Sequence, residues 1–237
     1  MKRSILVILI FGLTLSLFSI NSFATEKNNI NINSLLEISE KQSEKQLLIS
    51  SSENMKRMSI DELNSIVDIA KIQEDNESGS KNQLKRSFLL GSSKLAIQVA
   101  WLAAAEIAKR KGYKCSGTLV QCSVLGTNYK EKKGKGGLFR DKIVKTSPFK
   151  KFMKGKRKKK VVSIEKKHNK DLYYALHNFT ISKKKNKKSY SIRVYDRYDF
   201  NIQNYKSLFT GFVNNWAWLC SHTGVLHNID VNIYFNY

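Results

Sequence analysis

Proline is nearly absent: Pro148 is the only one in 237 residues, and it marks a turn before Phe149 and little else. Acid is scarce over most of the chain. From Lys81 to the C-terminus 34 Lys or Arg stand against 8 Asp or Glu, whereas residues 25–80 carry 6 against 11 and no aromatic residue at all. The balance swings from −5 to +26, so charge divides the chain in two and directs the second part toward anionic partners. Cysteine is limited to Cys115, Cys122 and Cys220, at spacings that exclude a zinc site. Apolar runs of membrane-spanning length are also missing. Residues 5–18 fall short of the roughly 20 that cross a bilayer, and residues 88–108 are interrupted by Lys94, Gln98 and Glu106. The aromatic residues sit in apolar patterns and do not alternate with Lys or Arg, which argues against sequence-specific nucleic-acid binding.

What is present begins with Lys2 and Arg3 ahead of the apolar run, closed by Ser22-Phe23-Ala24. This is the pattern of a secretory signal peptide over residues 1–24, and it predicts export to the periplasm or the medium. Residues 25–80 read as an acidic helical arm built on two amphipathic segments, 32–49 and 60–72. Ser59 with Glu62 forms a capping box that starts the second. Residues 74–85 (EDNESGSKNQLK) read as a solvated linker, and the arm as a spacer or docking element in preference to a shield for the basic part until delivery. Residues 81–150 form a helical, cysteine-containing part whose apolar stretch, closed by Lys109 to Lys111 and Gly112, predicts a buried core helix. In an exported chain Cys115 and Cys122 are close enough in sequence to predict a disulfide between them, leaving Cys220 over, although a pairing of Cys220 with either stays open.

From residue 151 the period changes to alternation, with candidate strands at 161–164, 172–181, 190–195 and 226–235. The second would place Tyr173, Ala175, His177, Phe179 and Ile181 on one face; the last would place Ile229, Val231, Ile233 and Phe235 on one face. Residues 182–189 (SKKKNKKS) read as a hairpin tip, and the aromatic stretch 201–223 as a short helix on the sheet. The fold class is therefore α+β: an N-terminal helical region, then a helix and a mostly antiparallel, highly basic β-sheet domain over 151–237. At the end of the third strand stand Asp196, Arg197, Tyr198, Asp199, Phe200 and Asn201. Two carboxylates and a phenol this close together suit a divalent cation or a phosphate ester. The cationic surroundings favour ionised carboxylates, and Asn201 suits the cap of a following helix.

The motif Asp196-x-Tyr198-Asp199-Phe200-Asn201, preceded by DLYYALHNFTIS and followed by GVLHNIDVNIYF, resembles the catalytic domain of the colicin M family of lipid II-degrading bacteriocins. The resemblance spans residues 142–235. It implies a secreted antibacterial phosphodiesterase that cuts the bond between undecaprenol and the pyrophosphoryl sugar of the peptidoglycan precursor. It also implies a divalent cation, taken here as Mg2+ on Asp196 and Asp199, essential roles for Asp196, Tyr198 and Asp199, and an immunity protein as a possible partner. The family carries a His-Arg pair after the motif where this chain has Tyr205 and Lys206. Lys206 can serve as a phosphate-binding charge, while Tyr205 cannot replace histidine as a proton carrier near neutrality. His177 and His227 are the candidates to replace it.

The lysine clusters at 154–160 (KGKRKKK), 183–185 and 187–188 suit anionic lipid headgroups, which agrees with a lipid-linked substrate. Two other readings compete. One is a basic secreted toxin that cuts another phosphodiester, a nuclease included, and the other is a noncatalytic protein that binds anionic surfaces.

Overall fold

The computed structural model describes residues 32–78, 83–132, 134–209, 211 and 213–237. The expected signal peptide and the first part of the acidic arm lie outside the described residues. Two compact units are separable, residues 1–40 and 41–237, and the second holds the whole sheet.

Three helices come first: α1 (Ile32–Met55), α2 (Ile60–Ser78) and α3 (Gln83–Arg110). The capping box at the head of α2 forms as expected, Ser59 N–H donating to Glu62 Oε2 at 2.7 Å and Glu62 N–H donating to Ser59 Oγ at 3.2 Å. The α2 part of the acidic segment does not stand apart from the basic one. Leu63, Val67 and Ala70 of α2 are buried, and Asp68 and Glu74 bond side chains of the C-terminal aromatic region. The α3 helix is the core helix that its sequence suggests, with the whole run from Ala100 to Ala105 buried around Trp101. Among the described residues no helix is long and apolar enough to cross a membrane.

A second tier of helices follows: α4 (Lys114–Val124), α5 (Arg140–Ile143) and α6 (Ser147–Lys154). Gly117 lets α4 cross α3 closely, since a Cβ there would lie 2.5 Å from the Ala105 carbonyl oxygen. The expected disulfide does not form. Cys115 and Cys122 lie seven residues apart on α4, about 10 Å by helical rise, beyond the reach of an S–S bond, and all three cysteines are free. Pro148 sits in the first turn of α6, where a missing N–H does no harm; Thr146 caps that helix.

The sheet is mixed and five-stranded, in the order β1-β5-β4-β3-β2, with β1 (Tyr129–Glu131), β2 (Lys159–Ser163), β3 (Asn178–Lys185), β4 (Tyr190–Tyr198) and β5 (Ile229–Asn236). β1 runs parallel to β5; the other neighbours are antiparallel. One face is buried through Val162, Phe179, Ile181, Ile192, Val194, Val231, Ile233 and Phe235, and the other is open.

One expected strand is displaced. The segment predicted as a strand over 172–181 begins as helix α7 (Lys170–Ala175), and β3 starts only at Asn178. Asn169 Oδ1 accepts the Leu172 N–H at 2.9 Å and caps α7, and Asp171 beside it is drawn inward to the start of α4. His177 consequently lies in the connection from α7 to β3 and not on a strand. The aromatic stretch forms two short helices, α8 (Ile202–Phe209) and α9 (Trp216–Ser221), where one was expected.

Candidate functional site

Alternation along β4 places Ile192, Val194, Asp196 and Tyr198 in one phase, and the first two face the core. A carboxylate that follows two buried aliphatic residues in the same phase is pulled toward the interior. Burial accordingly pushes the Asp196 carboxyl up to about 7, with repulsion from Asp199 adding to the shift and the Arg197 backbone N–H opposing it. This reverses the expectation that basic surroundings keep Asp196 ionised: desolvation is the largest influence on the carboxyl, and no lysine is among the groups that act on it.

Asp199 falls after the strand and is exposed. Both carboxylates line a cavity of about 230 Å3 that also takes in Tyr174, His177, Asn178, Arg197, Tyr198, Asn201, Asn204 and Tyr205. Tyr198 is buried, and its hydroxyl shares a 2.9 Å hydrogen bond with that of Tyr205. Burial holds both phenols protonated well above their usual range. Tyr205 is fixed from its other sides by Phe200, stacked at 4.6 Å between ring centroids, by Phe209 at 5.8 Å and by Tyr174 at 6.0 Å. Asn201 caps α8, its Oδ1 accepting the Gln203 N–H at 3.0 Å, as its position suggested.

The two histidine candidates separate. His177 lines the cavity, packs edge-on against Tyr173 at 4.8 Å, and has an enclosed Nδ1 without a hydrogen-bond partner. His227 is exposed just ahead of β5 and is not part of the cavity lining; its ring lies over Gly126 and its backbone is tied to Ser123. Lys206 is exposed on α8 and is not part of the cavity lining either; its charge is felt instead by Cys220. Arg197, inside the motif, is also among the lining residues, but it is in the opposite phase of β4 from Asp196 and Tyr198, and its guanidinium Nη1 lies 3.7 Å from Asp230 Oδ1. Sequence reasoning passed over Arg197, Tyr174, Asn178 and Asn204. Only Arg197 and Asn204 carried a signal, the first by its place inside the motif and the second one helical turn beyond it.

No group of three or more His, Cys, Asp or Glu side chains suited to a metal occurs among the described residues. Two carboxylates on one cavity fit a hard divalent ion of the magnesium kind, which keeps several waters and uses substrate phosphate for the remaining positions. Such an ion would have to displace the proton of Asp196 or rely chiefly on Asp199. Compared with protein-family models, curated proteins and solved structures, the chain matches none.

Proposed function

We propose that this chain is an exported phosphodiester hydrolase of the colicin M type, acting on the undecaprenyl pyrophosphoryl linkage of lipid II. The observation that supports this most is Asp196, a carboxyl group that burial lets keep its proton up to about pH 7, beside Asp199, His177 and Arg197 in one cavity. A group that titrates near neutrality is suited to general acid catalysis. In this reading water adds to phosphorus, the P–O bond to undecaprenol breaks, and Asp196 gives its proton to the departing oxygen. His177 is the imidazole in reach of the cavity that can take the proton of the attacking water. Arg197, exposed at the cavity's edge, would have to turn from Asp230 to offer its planar fork to the phosphoryl oxygens, a part that Lys206, outside the lining, is not placed to play. A divalent cation held by Asp199, with Asp196 when ionised, would neutralise pyrophosphate charge. Tyr205, standing where the family has histidine, holds the Tyr198 hydroxyl.

The lysines of residues 154–160 are exposed and suited to an anionic membrane surface that would bring the protein to a lipid-linked substrate. Lys183 is excepted. Its Nζ donates to the carbonyls of Phe152 at 3.1 Å, Met153 at 2.8 Å and Gly155 at 2.7 Å, closing the C-terminus of α6.

The test is release of undecaprenol from lipid II with added magnesium, run beside Asp196→Asn and beside RNA and DNA as substrates. The expected result is cleavage of lipid II that falls in the variant by about 10²- to 10⁴-fold, the usual weight of a general acid. Cleavage of nucleic acid alone would transfer the site to the nuclease reading. No turnover of any substrate by folded, metal-supplied protein would remove the enzymatic reading altogether.

A further inference from the structure

A second cavity, about 510 Å3, lies away from the motif. It runs beside β2, between that strand and the start of α6, and is lined by Ser147, Pro148 and Lys151 on one side and by Lys160 to Ser163 on the other, with Glu165 and His168 at one end. β2 is the last strand of its sheet and, among the described residues, pairs only with β3.

The phase of that pairing can be fixed. Ile164 N–H donates to His177 O at 2.8 Å, and Lys183 N–H donates to Lys158 O at 2.8 Å. These two bonds bracket the ladder, and in an antiparallel pair hydrogen-bonded and non-bonded positions alternate. The even-numbered residues of β2 therefore direct their backbone groups at β3. Lys159, Val161 and Ser163 direct N–H and C=O outward along the free edge, a row spanning about 13 Å at 3.3 Å per residue. Val161, set in the middle of that row, is 62 % exposed, one of the few large apolar side chains so placed among the described residues.

We infer that the β2 edge is a docking site for an acidic, extended segment of a partner protein, which adds there as a sixth strand. Backbone pairing with outward groups supplies the binding, as in other strand-addition complexes. Charge selects the partner. Lys151 and Lys160 line the groove, and Lys156, Arg157, Lys158 and Lys159 adjoin it, all exposed. Glu165, the carboxylate in the lining, is ion-paired with Lys167 at 2.8 Å. Lysines on an edge strand ordinarily discourage pairing with another edge. Here they would repel the same edge of a second copy of a chain of net charge +23, so self-association is disfavoured while an acidic strand is attracted. The inference is independent of what the motif cavity does.

The experiment uses the full chain at 0.15 M salt with a seven-residue probe of alternating Glu and Val, blocked at both ends, beside a probe of the same length carrying Pro at its centre. Backbone amide exchange at saturating probe should slow at least tenfold at Lys159, Val161 and Ser163, and the Pro-containing probe should bind at least tenfold more weakly. Val161→Pro removes an outward N–H and leaves the β2–β3 ladder whole, so it should weaken the alternating probe at least tenfold with unchanged circular dichroism. If the variant is misfolded, exchange in the unaltered chain still decides. Equal binding of both probes, or protection absent from those three amides, overturns strand addition and leaves only a basic surface.

Discussion

Asp171 and Asp196, two of the carboxylates drawn into this molecule, lie 25 residues apart in sequence and meet opposite environments. Asp171 is 5 % exposed and fully engaged: it accepts from the backbone N–H of Cys115 and of Ser116 at 2.9 Å each and from Ser116 Oγ at 2.8 Å, and Lys142 Nζ lies 2.5 Å away. It serves as the N-terminal cap of α4, supplied from another element. Asp196 is desolvated with only the backbone N–H of Arg197 to favour its charge and a second carboxylate beside it. The lesson is that burial alone does not decide what a carboxylate does. Donors around Asp171 convert burial into stability; their scarcity around Asp196 leaves a proton that can be given away.

The sharpest way to break this comparison is to remove the satisfied member. Asp171→Ala strips two backbone N–H groups and an ammonium of their partner in a buried niche, and should cost about 3–5 kcal/mol, the range for breaking one side of a buried pair. Chemical denaturation measures it. A cost under about 1 kcal/mol would show that water replaces the carboxylate, and that the niche is less closed than its distances imply.

Removing the strained member should act in the opposite direction. Asp196 has its folded value raised from 3.8 to about 7, so the native state holds the proton more tightly than the unfolded chain. Below about pH 4 both states are protonated and nothing is lost; as pH rises from 4 to 7 stability falls, and above 7 the full cost is present. Asp196→Asn, neutral at every pH, should therefore stabilise the protein by about 1–3 kcal/mol at pH 8, discounted for partial exposure, and by much less near pH 4. Thermal unfolding across that range reads the difference. A variant that is equally or less stable at pH 8 would place Asp196 in water or beside an unrecognised donor.

Much of the frame was legible in the sequence for physical reasons that act locally. The capping box at Ser59 and Glu62, the alanine-rich core helix α3, the cap at Asn201 and the alternation of β5 all depend on residues within a few positions of one another. The site was only half legible. Its two carboxylates and Tyr198 belong to one contiguous motif, but the apolar phase of Ile192 and Val194, which carries on to Asp196, was not followed past residue 195 and the carboxyl was expected to be ionised. The arrival of Tyr174 from α7 and of Asn178 from the head of β3 depends on Asn169 and Asp171 choosing a helix over a strand. That choice is made by the start of α4, more than 50 residues earlier, which no local pattern contains. The displacement of Lys206 has the same origin: α8 turns Tyr205 inward onto an aromatic cluster with Phe200, Phe209 and Tyr174, and its neighbour must then face out.

The smallest expected effect separates proton carrying from positioning. In the proposed reading Tyr205 would stand in the place of a histidine, yet burial holds its phenol protonated far above neutrality. Tyr205→Phe keeps the ring stack and removes only the 2.9 Å bond to Tyr198. Leaving the Tyr198 hydroxyl without its partner should cost about 1–2 kcal/mol of stability. Hydrolysis should drop less than tenfold, with both limbs of its pH profile unmoved. Had Tyr205 inherited the proton-carrying role, the variant would instead erase one limb of the profile, and the assignment of that role to Asp196 and His177 would fall with it. Loss of the limb near pH 7 in Asp196→Asn, set against its persistence in Tyr205→Phe, completes the separation, because a limb disappears only when the group that exchanges the proton is removed.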